Sequence, residues 1–272
     1  MASPDLLTPR STRIKQARRL ATRAFRAKSG RFLAEGPQAV REALRTGLVV
    51  EVYAEPAAED RHRDLRNLAR AAQTPWLGVD DAALAAITDT VTSQGVVALC
   101  RLVDVPLSES VRRDIRLLAF GVEVRDPGNA GTLIRCADAA GAEAVVFSAE
   151  SVDPHNPKAV RASAGSVFHL PITVEAGVVA TLEHCRDLGL QVLAADGEGD
   201  DDLDDLADAG GLAAPTAWLF GNEAHGLPST VTALADRVVR VPIHGRAESL
   251  NLATAAAVCL YASARAQRRT TI

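Results

Sequence analysis

Apolar and polar positions alternate along the whole chain, but the rhythm changes near residue 105. In the first part, "RFLAEGPQAVREALRTGLVVEVYAE" reads as a short strand, a proline-opened helix over 37–46 and a strand over 49–54. "DRHRDLRNLARAAQ" and "DDAALAAITDT" carry helical spacing, the second with an acidic first turn that suits the helix dipole. "GVVALCRLV" reads as one more strand. These elements predict a compact α/β unit over 1–105, followed by a polar stretch at 106–113. Over 115–272 the continuous apolar runs "LLAFGVEV", "AVVFS", "LQVLAA" and "AWLFG" are each bounded by Gly, Pro, Asp or Asn. Unbroken runs of this length suit strands covered on both faces, as in a parallel sheet. Helical patterns at 131–140, 178–188 and 228–234, and from Ser249 onward, lie between and after them. The predicted fold class is therefore α/β, with a mainly parallel C-terminal sheet and a small N-terminal α/β domain. Such sheets bind ligands in the loops beyond their strands' carboxyl ends.

Composition changes this picture little. The chain has 272 residues, 47% apolar and 24% charged, as expected of a globular protein with a proper core. Aromatic residues make up only 4%, which argues against stacking many bases along an open sheet. The N-terminal stretch is basic and lacks a signal-type apolar region, and no apolar run approaches the roughly 18 residues of a membrane span. Cys100, Cys136, Cys185 and Cys259 are scattered, so neither a metal site nor a disulfide framework is expected, and the expected location is the cytoplasm.

Charge matters more. The net charge is −4, yet Arg10, Arg13, Lys15, Arg18, Arg19, Arg23, Arg26, Lys28 and Arg31 form a basic arm with no acid among them. This arm could lie on phosphates, or it could be a solvated helix. At the other extreme, the acidic stretch 196–208 reads as an exposed loop.

Three loops after predicted strands carry candidate chemistry. In "VRDPGNAGTLIRCADAAG" a turn leads into a helix, with Asn129 expected at or near its N-cap. Leu133, Cys136, Ala137 and Ala140 share one helix face, and Arg135 points away from them. The residues leave two readings open for Arg135: a surface partner of Asp138, or a guanidinium beside a helix N-terminus, where both favour an anion. In "LFGNEAHGLP" glycines permit close backbone approach, and Glu223 is a carboxylate at a strand end. His225 has the character of a turn residue and stays outside the catalytic set. In "VPIHGRAESLNLATAAAVCLY" a strand over 238–243 leads to a helix capped by Ser249. That helix is apolar nearly all round from Leu250 to Tyr261, so it should be buried on most faces, with Asn251 a buried amide that needs partners. The glycine fingerprint of dinucleotide folds is absent, as are GxxxxGK[ST], HExxH and GxSxG.

"NAGTLIR", "LFGNEAHGL" and "VPIHGRAESLNLA" resemble, in order and spacing, the three motifs of the SpoU family of RNA 2′-O-ribose methyltransferases, in the SPOUT superfamily. The resemblance spans roughly 115–265, and the region before it is similar to the small RNA-binding domain of a ribosomal-protein type that many members carry. It implies a trefoil knot, one of the exceptions to unknotted chains. It implies S-adenosylmethionine as cofactor, held by Leu219, Phe220, Gly221, Asn222, Val241, Ile243, Ser249 and Leu250, and no metal. It implies a homodimer through the knot helices and a catalytic set of Asn129, Arg135, Glu223, Ser249 and Asn251, with Arg135 at the ribose 2′-hydroxyl. The expected substrate is RNA, ribosomal RNA above all, contacted by Arg135 and the arm residues from Arg10 to Arg26. A transfer-RNA enzyme and a non-catalytic ribosome-assembly protein of the same fold are the alternatives.

Overall fold

The computed structural model describes residues 6–90, 92–222 and 224–269, which form two compact units. The first comprises residues 1–103 together with 153–169. The sequence reading placed 153–169 with the second domain, because a contact made across more than a hundred residues leaves no local periodicity to read.

The first unit holds a four-stranded sheet in the order β1 (Arg31–Glu35), β4 (Val96–Arg101), β2 (Val49–Ala54), β3 (Trp76–Gly78). β4 runs antiparallel to β1 and β2, and β3 is parallel to β2. Two short helices, Thr12–Arg19 and Arg23–Ser29, make up the basic arm. Ile14, Ala17 and Leu20 recur every third residue, so they share a face and enter a core with Tyr53, Leu84 and Val97. Arg10, Arg13, Lys15, Arg18, Arg19, Arg23 and Lys28 are exposed, with Arg13 in an ion pair to Glu51 at 3.5 Å.

Arg26 corrects the expectation of an RNA contact. It is 3% exposed; its Nε and Nη2 donate to the Asp153 carboxylate at 2.7 and 2.6 Å, and Nη1 donates to the Leu20 and Ala21 carbonyls. Two of its nitrogens thus pin the arm to the 153–169 segment, and the third braces the link between the arm's two helices. Burial alone would raise the Asp153 carboxyl, but His155 and the Arg26 guanidinium outweigh it and hold that carboxyl well below the usual carboxylate range.

The second unit is a seven-stranded, wholly parallel sheet. Its order is β7 (Ile172–Ala176), β6 (Ala144–Ser148), β5 (Leu117–Gly121), β10 (Thr216–Phe220), β8 (Gln191–Ala195), β11 (Arg237–Arg240), β9 (Asp201–Asp202). Every residue of β5, β6 and β10 is buried, as continuous apolar runs require of strands covered on both faces. The helices Pro127–Ala140 and Leu252–Arg269 pack against each other. Trp218 of β10 donates to Ser263 Oγ at 2.9 Å, and Gln267 Nε2 reaches the Arg116 and Ala214 carbonyls, so the last helix is tied to the sheet by polar bonds as well as packing.

Two local expectations change. The strand expected over 238–243 ends at Arg240, and residues 241–251 are irregular. The acidic stretch is no plain exposed loop: it supplies edge strand β9 and the helix Leu203–Asp208, with Leu203 and Leu206 buried. Arg237 pairs with Asp201 at 3.1 Å and Arg240 with Asp202 at 3.4 Å, so β11 neutralises the acids that pair with it. The last helix is buried on most faces, as expected, but not all round within the chain. Thr254, Val258, Tyr261 and Arg265 form an exposed stripe, with Val258 40% and Tyr261 53% exposed.

Candidate functional site

The carboxyl ends of β8, β10 and β11 open into one cavity of about 590 Å³. Ala195 ends β8 and Asp196 follows it, Phe220 ends β10 and Gly221 follows it, and Val239 to Ile243 carry the chain out of β11. Ser249 and Leu250, just before the last helix, and Leu252 at its start close it. Ile243 and Leu250 are 39% and 36% exposed, an unusual state for large apolar side chains facing a concave site. Seven of the eight expected cofactor residues line this space: Phe220, Gly221, Asn222, Val241, Ile243, Ser249 and Leu250. Leu219 does not, because strand alternation turns it into the core with Phe120 and Val192.

Gly221 is required by close approach. A Cβ at this position would stand 2.3 Å from Gly226 C, 2.4 Å from Leu227 N and 2.5 Å from Gly226 O. The approach is fixed by a small antiparallel bridge: Asn222 N–H donates to the Gly226 carbonyl at 2.8 Å, and Gly226 N–H returns a bond to the Asn222 carbonyl at 2.9 Å. Gly226 itself sits at φ +64°, the left-handed region that glycine occupies without strain. The Asn222 amide completes the loop, accepting from Ala224 N–H and donating Nδ2 to the Glu123 carbonyl at 3.0 Å. Glu223 lies outside the described residues.

Sequence reasoning missed one wall of this cavity. Asp196, Gly197 and Asp202 from the acidic stretch line it, as does Glu248. Asp196 Oδ1 accepts from Glu198 N–H at 3.0 Å in an Asx-type turn, and its main-chain N–H donates to Val239 O. The signal available was the position of Asp196 directly after an apolar strand run, where parallel sheets place ligand contacts.

The helix bearing Arg135 starts one turn earlier than expected, and its cap is Asp126, whose Oδ1 accepts from Asn129 N–H at 2.9 Å. Asn129 is thus in the first turn, and Pro127 at the first helical position explains the early start. The last helix starts at Leu252, so Ser249 is not its cap. Asn251 takes that role: its Oδ1 accepts from Ala253 N–H at 2.9 Å and its carbonyl accepts the first helical bond, from Ala255. Asn251 is exposed, and its Nδ2 donates to Asn129 Oδ1 at 3.0 Å. One amide therefore caps the last helix and links it to the helix of Arg135.

Arg135 is exposed, on the face opposite the buried Leu133 and Ala137, and no ion pair to Asp138 or to another described residue holds it. It does not line the cavity; the Asn129–Asn251 link joins its helix to the cavity wall at 248–252. Burial pushes the neighbouring Cys136 thiol up, with the Arg135 charge pulling the other way. Among the described residues no cluster of His, Cys, Asp and Glu could hold a metal ion, and no helix is long and apolar enough to cross a membrane.

The cavity's features fit S-adenosylmethionine. A volume near 590 Å³ lies in the range of cofactor pockets, and the Gly221 cradle brings bare main chain to the ligand. Apolar Phe220, Val239, Leu250 and Leu252 suit a flat base, and Asp196, Asp202 and Glu248 suit a cationic tail.

Comparison with known proteins gives the family. Residues 116–261 match the model of the SpoU rRNA methylase family, and residues 11–98 match an MRM3-like substrate-binding domain. The chain is 32% identical over 253 residues to the 23S rRNA (guanosine(2553)-2′-O)-methyltransferase RlmP of Bacillus subtilis, covering 93% of this chain and 96% of that one. It is 30% identical to the 23S rRNA (uridine(2479)-2′-O)-methyltransferase of Streptomyces viridochromogenes, covering 95% and 91%. An AdoMet-bound rRNA methyltransferase from Sinorhizobium meliloti superposes with a TM-score of 0.81 at 30% identity, covering 96% of this chain and 98% of that one.

Proposed function

This chain belongs to the SpoU rRNA methylase family, and from that premise we propose that it methylates a ribose 2′-hydroxyl of ribosomal RNA, with S-adenosylmethionine as donor. The observation that carries the reading is the cavity lined by the segments that leave β8, β10 and β11 and by the start of the last helix, tied by the Asn129–Asn251 amide bond to the helix of Arg135. When bound there, the cofactor supplies an electrophilic sulfonium methyl. Gly221, Val241 and Leu250 hold it through main-chain groups, and Asp196, Asp202 and Glu248 surround it with negative charge.

The chain's own residues then handle the hydroxyl. In-line transfer requires the 2′-oxygen to be held at near-attack distance while its proton passes to solvent water. A guanidinium stays protonated at neutral pH, so Arg135 chiefly grips the adjacent phosphate and stabilises the developing alkoxide. Asn129 and Asn251 orient Arg135 and the ribose, and Glu223 and Ser249 shape the knot. On this reading the irregular stretch 241–251 is the threaded segment of a trefoil knot. The exposed stripe of Thr254, Val258, Tyr261 and Arg265 is covered by a second copy, whose residues complete the substrate site. The N-terminal unit, with its basic arm, binds the RNA, and the protein works in the cytoplasm.

The test is transfer of a labelled methyl from S-adenosylmethionine to purified ribosomal RNA, followed by alkaline hydrolysis. A 2′-O-methyl blocks cleavage at its own phosphodiester, so the label must run as an alkali-resistant dinucleotide. Label released as a mononucleotide would mean base methylation and would overturn the reading. Heat on titration with cofactor separates an enzyme from a plain RNA binder, which gives none.

A further inference from the structure

The cations of the basic arm are not equivalent. Arg26 is buried on Asp153 and Arg13 faces Glu51, whereas Arg19 lies with its guanidinium carbon 4.0 Å from the centre of the Phe25 ring. Phe25 is half-buried, one side packed against the core of the N-terminal unit. Arg19 and Lys28 are exposed, and neither makes an ion pair with a described residue. Between them lies a surface notch of about 380 Å³, lined by Arg19, Thr22, Ala24, Phe25 and Lys28. No acid occurs from residue 10 to residue 31, so nothing in the arm neutralises it.

An intramolecular cation–π contact is a common surface feature, and alone it says nothing of a ligand. Here it lies beside a concave space, with the Arg19 guanidinium over the Phe25 ring and Lys28 on the same rim. Phosphates along a duplex need only cations on flexible stems. A cavity with a held guanidinium plane, an aromatic ring and one adjacent ammonium suits a flat base with a phosphate next to it. The low aromatic content allows one such platform, not a track of them.

We propose that the notch formed by Arg19, Phe25 and Lys28 takes one unstacked nucleotide of the RNA, its base stacked on the Arg19–Phe25 pair and its phosphate on the Lys28 ammonium. This rests on the reading of the chain as an RNA enzyme, and it adds a single-strand requirement at a place separate from the cofactor cavity. A substrate that offers an unpaired nucleotide to the arm is favoured over a continuous duplex.

The test uses the full chain and a fluorescein-labelled oligouridylate about ten nucleotides long, with a duplex RNA of the same length as control. Fluorescence anisotropy reads both affinities. Phe25→Leu keeps the apolar volume and removes the π face; it should weaken single-strand binding about tenfold, change duplex binding little, and leave the salt slope unaltered. Phe25→Tyr should restore binding. Lys28→Ala should lower the single-strand salt slope by about 0.7. If Phe25→Leu fails to fold, Arg19→Gln, on an exposed side chain, gives the same readout. Binding by either variant within about twofold of the parent on the single strand, or equal losses on both probes, overturns the proposal. Equal affinity for polyglutamate would mark the arm as a protein-docking surface and overturn it as well. A parent that methylates ribosomal RNA, with a Phe25→Leu variant of unchanged KM, would refute the notch and leave the proposed function standing. A parent that transfers no methyl to any RNA would refute the function instead.

Discussion

Gly221→Ala isolates the feature on which the cofactor cavity depends. The added methyl would stand 2.3–2.5 Å from the main chain of Gly226 and Leu227. Carbon atoms rest near ~3.5–4.0 Å, so that backbone must retreat by more than about 1 Å. The retreating segment carries both hydrogen bonds of the Asn222–Gly226 bridge, at 2.8 and 2.9 Å, and the cavity wall at Ala224 and Gly226. With each bond contributing about 0.5–1.5 kcal/mol, losing both costs about 1–3 kcal/mol. Borne by the bound form, that cost raises the Kd for S-adenosylmethionine about 5- to 150-fold; borne by the free protein, it lowers the melting temperature by several degrees. Isothermal titration and calorimetric melting measure the two. Gly245→Ala is the control, because a Cβ there meets no atom within 4 Å and the residue belongs to the same irregular 241–251 stretch. A Gly221→Ala variant that binds cofactor within about twofold of the parent and melts with it would refute the reasoning.

Three further outcomes follow from the same geometry. Arg135→Ala should abolish methyl transfer and leave cofactor affinity unchanged, because Arg135 lies outside the cavity wall; near-normal transfer by that variant would remove its assigned role. Arg26→Ala should cost about 3–5 kcal/mol in chemical denaturation, since it strands a largely buried carboxylate. The folded state favours ionised Asp153, so this pair stabilises fully above the unfolded carboxyl pKa, near ~4, and loses its contribution as the pH falls further. Asp153→Asn should therefore flatten the acid limb of a stability–pH curve, and a curve of unchanged slope would count against the pair. Asn251→Ala removes a helix cap and the bond to Asn129, so it should cost about 1 kcal/mol of stability and lower kcat more than cofactor affinity; an unchanged kcat would mean that the link does not aim Arg135.

Much of the fold was legible because its signal is local. The runs "LLAFG", "AVVFS", "QVLAA" and "TAWLF" became β5, β6, β8 and β10, since burial on both faces forces an unbroken apolar stretch. β7 and β9 gave no such signal: β7 carries Glu175 among its five residues, and β9 is two aspartates paired to β11. The site was legible where glycines and strand ends set it, as at Gly221. It was not legible where two distant segments meet. Arg26 looked like any other arm cation, because its carboxylate partner lies 127 positions away. Asp126 and Asn251 took caps assigned to Asn129 and Ser249, since several residues in each loop could accept the same bond and tertiary packing chose between them.

The most direct test of the account is a map of ribose methylation in ribosomal RNA from cells with and without the gene, read as protection from alkaline cleavage at each nucleotide. The account predicts one protected ribose that disappears with the gene, returns with the parent chain and does not return with Arg135→Ala. A map in which no ribose changes, or in which the lost modification lies on a base, would contradict it.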